Sequence, residues 1–151
     1  MSVRDNAFKK TMLDRVRDAV EQTTTGSYEP ANVRGFDGAW LPKSRFFGRK
    51  TGPRLLVRIV AVADAGAVAD AWVAASAFAA NTGDDTCVIL MASSVAAAAE
   101  LAHAIAEQRG RPGNGTHLTL IPMDVQSWGA HVPTDAPQVA RDILEALRAA
   151  A

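Results

Sequence analysis

The chain has 151 residues, 48% of them hydrophobic and 21% charged, with 16 Lys+Arg balanced by 16 Asp+Glu. A chain of this length can bury roughly 68–70% of its unfolded surface, so it needs neither disulfides nor a structural metal to fold. Its single cysteine, Cys87, excludes an internal disulfide, and no CxxC pair or His/Cys cluster offers a zinc ligand set. One domain over residues 1–151, a reducing cytoplasmic setting, and no metal or cofactor are the resulting expectations. Residues 1–25 carry charges throughout and never reach an apolar signal core, and the alanine-rich stretch 65–83 contains Asp70. No membrane partner is expected.

Phe8, Met12, Leu13, Val16, Ala19 and Val20 recur at helical spacing and predict an amphipathic helix from about Asn6 to Gln22. The run Thr23-Thr24-Thr25-Gly26 disfavours a further turn, and a loop through Pro30 to Gly35 follows. Short strand-like pieces at 36–41 and 45–47, separated by Pro42 and closed by Gly48 and Thr51-Gly52-Pro53, predict a hairpin. Arg54 to Ala63 is nearly continuous in aliphatic residues, as in a strand covered on both faces. Asp64 stands where a helix N-cap belongs, before a helix that ends near Gly83. The grammar repeats with a strand from Thr86 to Ala92, Ser93-Ser94 as caps, and a helix from Val95 to about Arg109. Thr116 to Met123 reads as a third strand, 124–137 as an irregular loop, and Ala136 to Ala149 as the closing helix. This order predicts a single three-layer α/β domain: a mixed sheet with three parallel strands, flanked by helices and preceded by an N-terminal short-strand hairpin.

The balanced charge conceals a polarity along the chain. Residues 1–60 hold twelve Lys/Arg against six acids, and the remainder carries the opposite excess. Between 38 and 63 there are six basic residues and no acid. Lys43, Arg45, Arg49, Lys50 and Arg54, with Phe46 and Phe47 among them, supply cations for a phosphate backbone and rings for stacking on bases. The plainer reading is a solvated hairpin, or a positive surface that meets the acidic half of another subunit.

Other candidates are weaker. The carboxyl ends of parallel strands, where α/β proteins place ligands, carry Asp64, Ser93, Ser94 and Asp124. Capping accounts for the first three and a solvated loop carboxylate for the last. The Gly-rich run 110–115 follows a helix and opens a strand, the reverse of a phosphate loop. His103, His117 and His131 share no metal-like spacing, and Cys87 sits in the most apolar strand as a small hydrophobe. Arg58 interrupts an aliphatic strand and must reach an edge, a carboxylate or a ligand; the expected remedy is pairing with Asp37 across adjacent strands or a side chain that snorkels to the sheet rim.

The element order resembles the core of the restriction-endonuclease-like, PD-(D/E)xK, fold. Phe36-Asp37-Gly38 would occupy the place of that family's first catalytic Asp, and the strand from Leu55 to Ala61 the place of its (D/E)xK. Arg58 and Val60 stand where the second carboxylate and the lysine would alternate, and no acid lies between Asp37 and Asp64. A lone carboxylate does not organise a divalent-metal site, so the resemblance implies a fold without nuclease chemistry. The expected function is a non-catalytic protein that binds nucleic acid or another anionic partner through 43–54. The alternative is an interaction subunit of a homo- or hetero-oligomer. A nucleotide-type enzyme is a third class, and it lacks the glycine turn expected after a first strand.

Overall fold

A computed structural model describes residues 3–43, 52–80, 85–111 and 117–150. Helix α1 (Val3–Thr24) leads into strand β1 (Tyr28–Ala31), β2 (Gly38–Pro42) and β3 (Arg54–Ala63). Then come α2 (Ala65–Ala79), β4 (Thr86–Val95), α3 (Ala98–Arg109), β5 (Leu118–Asp124) and α4 (Gln138–Ala149). The five strands form one sheet in the order β1-β2-β3-β4-β5. The pairs β1–β2 and β2–β3 are antiparallel, whereas β3–β4 and β4–β5 are parallel. This is the mixed α/β sheet with three parallel strands and an N-terminal antiparallel hairpin that the sequence predicts.

The strand order decides where the helices lie. Two successive crossovers of the same hand, stepping in the same direction, must place both connecting helices on one face. Helices α2 and α3 accordingly bury Val68, Ala71, Trp72, Ala75, Leu101, Ala104 and Ile105 against Leu56, Val88, Leu90 and Leu120. The other face is left to the terminal helices. Met12, Val16 and Val20 of α1 and Ile143, Leu144 and Leu147 of α4 close over Leu55, Val57, Ile89, Met91, Ile121 and Met123. Alternation along each strand sorts its side chains between the two cores, which is why these strands read as continuous apolar runs.

Several boundaries differ from expectation for physical reasons. The stretch 28–31 forms strand β1 rather than loop, and β1 pairs with β2. The stretch 45–47 lies outside the described residues. Ser93 and Ser94 are not caps. Strand β4 continues to Val95 because β3 runs as far as Ala63, pairing Val62 with Ser94 and Ala63 with Val95. Helix α3 begins at Ala98 with no side-chain cap. Asp64 caps α2 as expected, its Oδ1 accepting from the Ala67 N–H at 2.9 Å. At the end of α1 the chain turns through Thr25 at φ 48° and Gly26 at φ 86°, the left-handed step that stops a helix.

Candidate functional site

The topology gives the sheet two unlike rims. At the rim where β3, β4 and β5 begin, helices α1, α2 and α3 end, so their partial negative charges gather there and favour cations. At the rim where those strands finish, α2 and α3 begin, and carboxylates are favoured.

The basic segment is mounted on the first rim. Lys43 is exposed directly after β2, and its N–H donates to Ser27 O at 2.9 Å. At the other end Tyr28 donates its hydroxyl to Pro53 O at 2.7 Å. Gly52, at φ 84°, passes so close under that hydroxyl that a Cβ there would collide with it. Both ends of the segment are thereby fixed beside β1. Arg45, Phe46, Phe47, Arg49 and Lys50 lie outside the described residues. Arg54 departs from the expected exposed position: only 3% of it is accessible. As the first residue of β3 it shares the α2-facing side with Leu56, so its guanidinium turns inward, donating to Thr86 Oγ1 at 2.9 Å and lying 4.5 Å from the Phe78 ring centroid.

Asp37 and Arg58 do not form the expected ion pair. The chain bends at Asp37 instead of continuing the strand, and Asp37 Oδ2 accepts the Ile59 N–H at 2.7 Å, where a strand carbonyl would have stood. Its Oδ1 meets Lys9 Nζ of α1 at 3.2 Å. Arg58 stands between Leu56 and Val60, which pack on the α2 and α3 side, and among the described residues it makes no ion pair. Two positions that face each other along the backbone thus send their charges to opposite sides of the sheet.

At the second rim the carboxylates serve the protein's own backbone. Besides Asp64, Glu100 Oε2 of α3 accepts the Ala65 N–H at 3.3 Å, so the start of α2 is occupied by two carboxylates. Asp124 Oδ1 accepts from the Gln126 and Ser127 N–H groups at 2.8 and 3.3 Å. The turn that follows bridges back from Ala130 to Met123 and covers the outer edge of β5. Beside it lies a shallow cleft of about 350 Å³, with Val95 and Leu101 on one wall and Asp124, Ser127 and His131 on the other. His103 is exposed on α3, and His117 Nδ1 lies 3.0 Å from Asp85 Oδ1 at the first rim. No group of three metal-ligating side chains forms among the described residues.

Sequence reasoning passed over Trp128. Its backbone takes φ 60°, its carbonyl accepts from Arg148 Nε at 3.2 Å, and the Arg15 guanidinium lies 5.3 Å from its ring centroid. Residues 15, 128 and 148 are too far apart in sequence for any spacing rule to join them.

No family model, curated protein or solved structure matches this chain. Its function is therefore argued from the geometry alone. Among the described residues no helix is long and apolar enough to cross a membrane.

Burial acts on two further groups near the first rim. It pushes the Cys87 thiol from 9.0 to about 12. Tyr28 is raised from 10.0 to about 12, mainly by burial and secondarily by the neighbouring Cys87. Neither group ionises near neutrality, so a thiolate nucleophile is not available here.

Proposed function

We propose that the protein is a non-catalytic α/β protein that binds nucleic acid through the basic segment 43–54, carried on an endonuclease-like topology. The observation that carries this reading is the mounting of the segment. Lys43 and Pro53 are both tied to the Ser27-Tyr28 corner, at the rim where three helix C-termini favour positive charge. The two ends of the segment are therefore held at one place on the sheet. Arg54 supports the base of the segment from inside the fold and is not part of the contact surface.

The element order of helix, three antiparallel strands, helix and parallel strand supports the endonuclease-like reading. The absence of nuclease chemistry rests on residues that are present. Asp37 is engaged by Ile59 and Lys9, and Arg58 and Val60 stand where a carboxylate and a lysine would be needed.

The test is the affinity for labelled single- and double-stranded DNA and RNA at two salt concentrations. Binding is expected to weaken steeply with salt and to be lost in Arg49→Glu/Lys50→Glu, with the fold intact. Binding that survives the double charge reversal overturns the assignment to this segment. Failure to bind any of the four probes at low salt overturns nucleic acid as the partner.

A second reading has its own observation. Helix α2 carries one charged residue in fifteen, Asp70, and its outward Val73 is 61% exposed. Helices apolar on all sides are normally covered on all sides. An interaction subunit follows if sedimentation shows concentration-dependent association that Val73→Asp abolishes.

A further inference from the structure

We propose that the cleft along the outer side of α4 binds a phosphate group between Arg141 and Arg148. This site shares no residue with the basic segment, and it goes beyond the function proposed above. Its volume is about 250 Å³, and it is lined by Val132, Arg141, Leu144, Glu145 and Arg148.

Arg141 and Arg148 are seven residues apart on one helix, hence two turns along the same side, with Cα atoms about 10.5 Å apart. Neither guanidinium is loose. Arg141 donates from Nε to Ala136 O at 3.3 Å, and from one terminal nitrogen to Pro133 O at 2.9 Å and Thr134 O at 3.2 Å. Arg148 donates from Nε to Trp128 O at 3.2 Å. Every one of these acceptors is a backbone carbonyl, which orients a cation without neutralising it. A guanidinium has five N–H donors, so two remain on Arg141 and four on Arg148.

The cleft lining holds one carboxylate, Glu145, and no ion pair to it is formed among the described residues. Among the described residues neither arginine makes an ion pair, although Glu145 lies between them on the same helix face. Two oriented cations that share one cleft with no carboxylate closing on either form a prepared anion site. Phosphate suits the donor set best, because its several oxygens accept forked N–H pairs from more than one guanidinium at once. Val132 and Leu144 complete the lining. The phosphate can belong to a small free molecule or to a nucleic-acid backbone.

Trp128 supplies the readout. Its carbonyl is bonded to Arg148, and it is the most exposed indole, since Trp40 and Trp72 are 6% and 0% accessible. Inorganic phosphate is titrated into the full chain at constant ionic strength, following tryptophan fluorescence, and a labelled oligonucleotide is titrated in parallel. The expected result is a saturable response to inorganic phosphate whose Kd rises about tenfold or more in Arg148→Gln and is unchanged in Arg49→Glu/Lys50→Glu. Arg148 is exposed, so the glutamine variant keeps the fold.

A phosphate response that depends on Arg148 identifies a free phosphate compound as the ligand. Oligonucleotide binding that depends on Arg148, without a response to phosphate, identifies the backbone as the source. A response that Arg148→Gln retains in full, or no response to either probe, overturns the proposal. Loss of oligonucleotide binding in Arg49→Glu/Lys50→Glu alone bears on the basic segment and leaves this cleft unaffected.

Discussion

The two faces of the sheet are covered in different ways. On one, α1 and α4 drive Met, Val, Ile and Leu side chains between the strands, and α4 keeps its apolar residues strictly to one side. On the other, α2 and α3 are rich in alanine, and Trp72 is the one aromatic side chain of α2 that is fully buried. A helix with a sharp apolar stripe leaves its outer side free for charge, and α4 uses that side for Arg141, Glu145 and Arg148. A helix of small residues approaches the sheet closely and leaves an outer side with few charges, here marked by Val73. The proposed phosphate cleft thus falls on the α1 and α4 face and the candidate protein contact on the α2 and α3 face.

The sharpest way to break this comparison is to empty each core in turn. Trp72→Ala is expected to cost about 3–5 kcal/mol, since the alanines around it have no rotamers with which to refill the hole. Leu147→Ala, on the opposite face, should cost about 2–5 kcal/mol and fall below Trp72→Ala, because longer neighbours can relax into the space. Trp72→Phe keeps most of the ring and removes an indole N–H that has no partner among the described residues, so it should cost far less. Urea unfolding of the three variants gives the ranking, and a smaller loss for Trp72→Ala than for Leu147→Ala would reverse the comparison.

Alkaline titration separates the faces next, because Cys87 and Tyr28 both lie on the α1 and α4 side. Their folded pKa values are raised, so the stability they contribute is complete below the unfolded values of 9.0 and 10.0. It is lost as pH rises toward about 12. Between pH 9 and 10 the Cys87 contribution should fall by up to about 1.4 kcal/mol per pH unit. Cys87→Ala should flatten that part of the profile, and an unchanged slope would assign the loss to other groups. The same thiol should react with a disulfide reagent in urea and stay unreactive in the folded protein.

The smallest expected effect is at Asp37. Asp37→Ala removes the acceptor of the Ile59 N–H and should cost about 1–2 kcal/mol. Asp37→Asn keeps an acceptor and loses only the partly exposed pair with Lys9, so about 0–1 kcal/mol is expected. Equal losses in the two variants would shift the weight to the ion pair.

Much of the fold was legible in the residues. Arg54–Ala63 forms a strand with the expected bounds, because an uninterrupted aliphatic run of that length has few alternatives, and Asp64 caps the helix that follows. Strand β1 was hidden because Glu29 and Pro30 argue against a strand, yet an edge strand tolerates proline where a central one does not. Ser93 and Ser94 have the local chemistry of caps, but pairing to a ten-residue neighbour carried β4 past them. The site was less legible. The cations of 43–54 are plain in the sequence, whereas the burial of Arg54 depends on Thr86 and Phe78 coming close in space.

What the sequence by itself determined is the succession of elements, because hydrophobic period, caps and turn residues act over a few neighbouring positions. It also determined the charge polarity and the buried, inert setting of Cys87. Only the tertiary structure decided the face to which each charge turns. It joined Asp37 to Lys9 and not to Arg58, took Arg54 inside, and set Arg141 and Arg148 on carbonyls of the loop between β5 and α4, around one cleft. The Asp37, Arg54 and Arg148 contacts each depend on groups twenty or more residues apart in the chain meeting at about 3 Å, a distance fixed by packing and not by any local pattern.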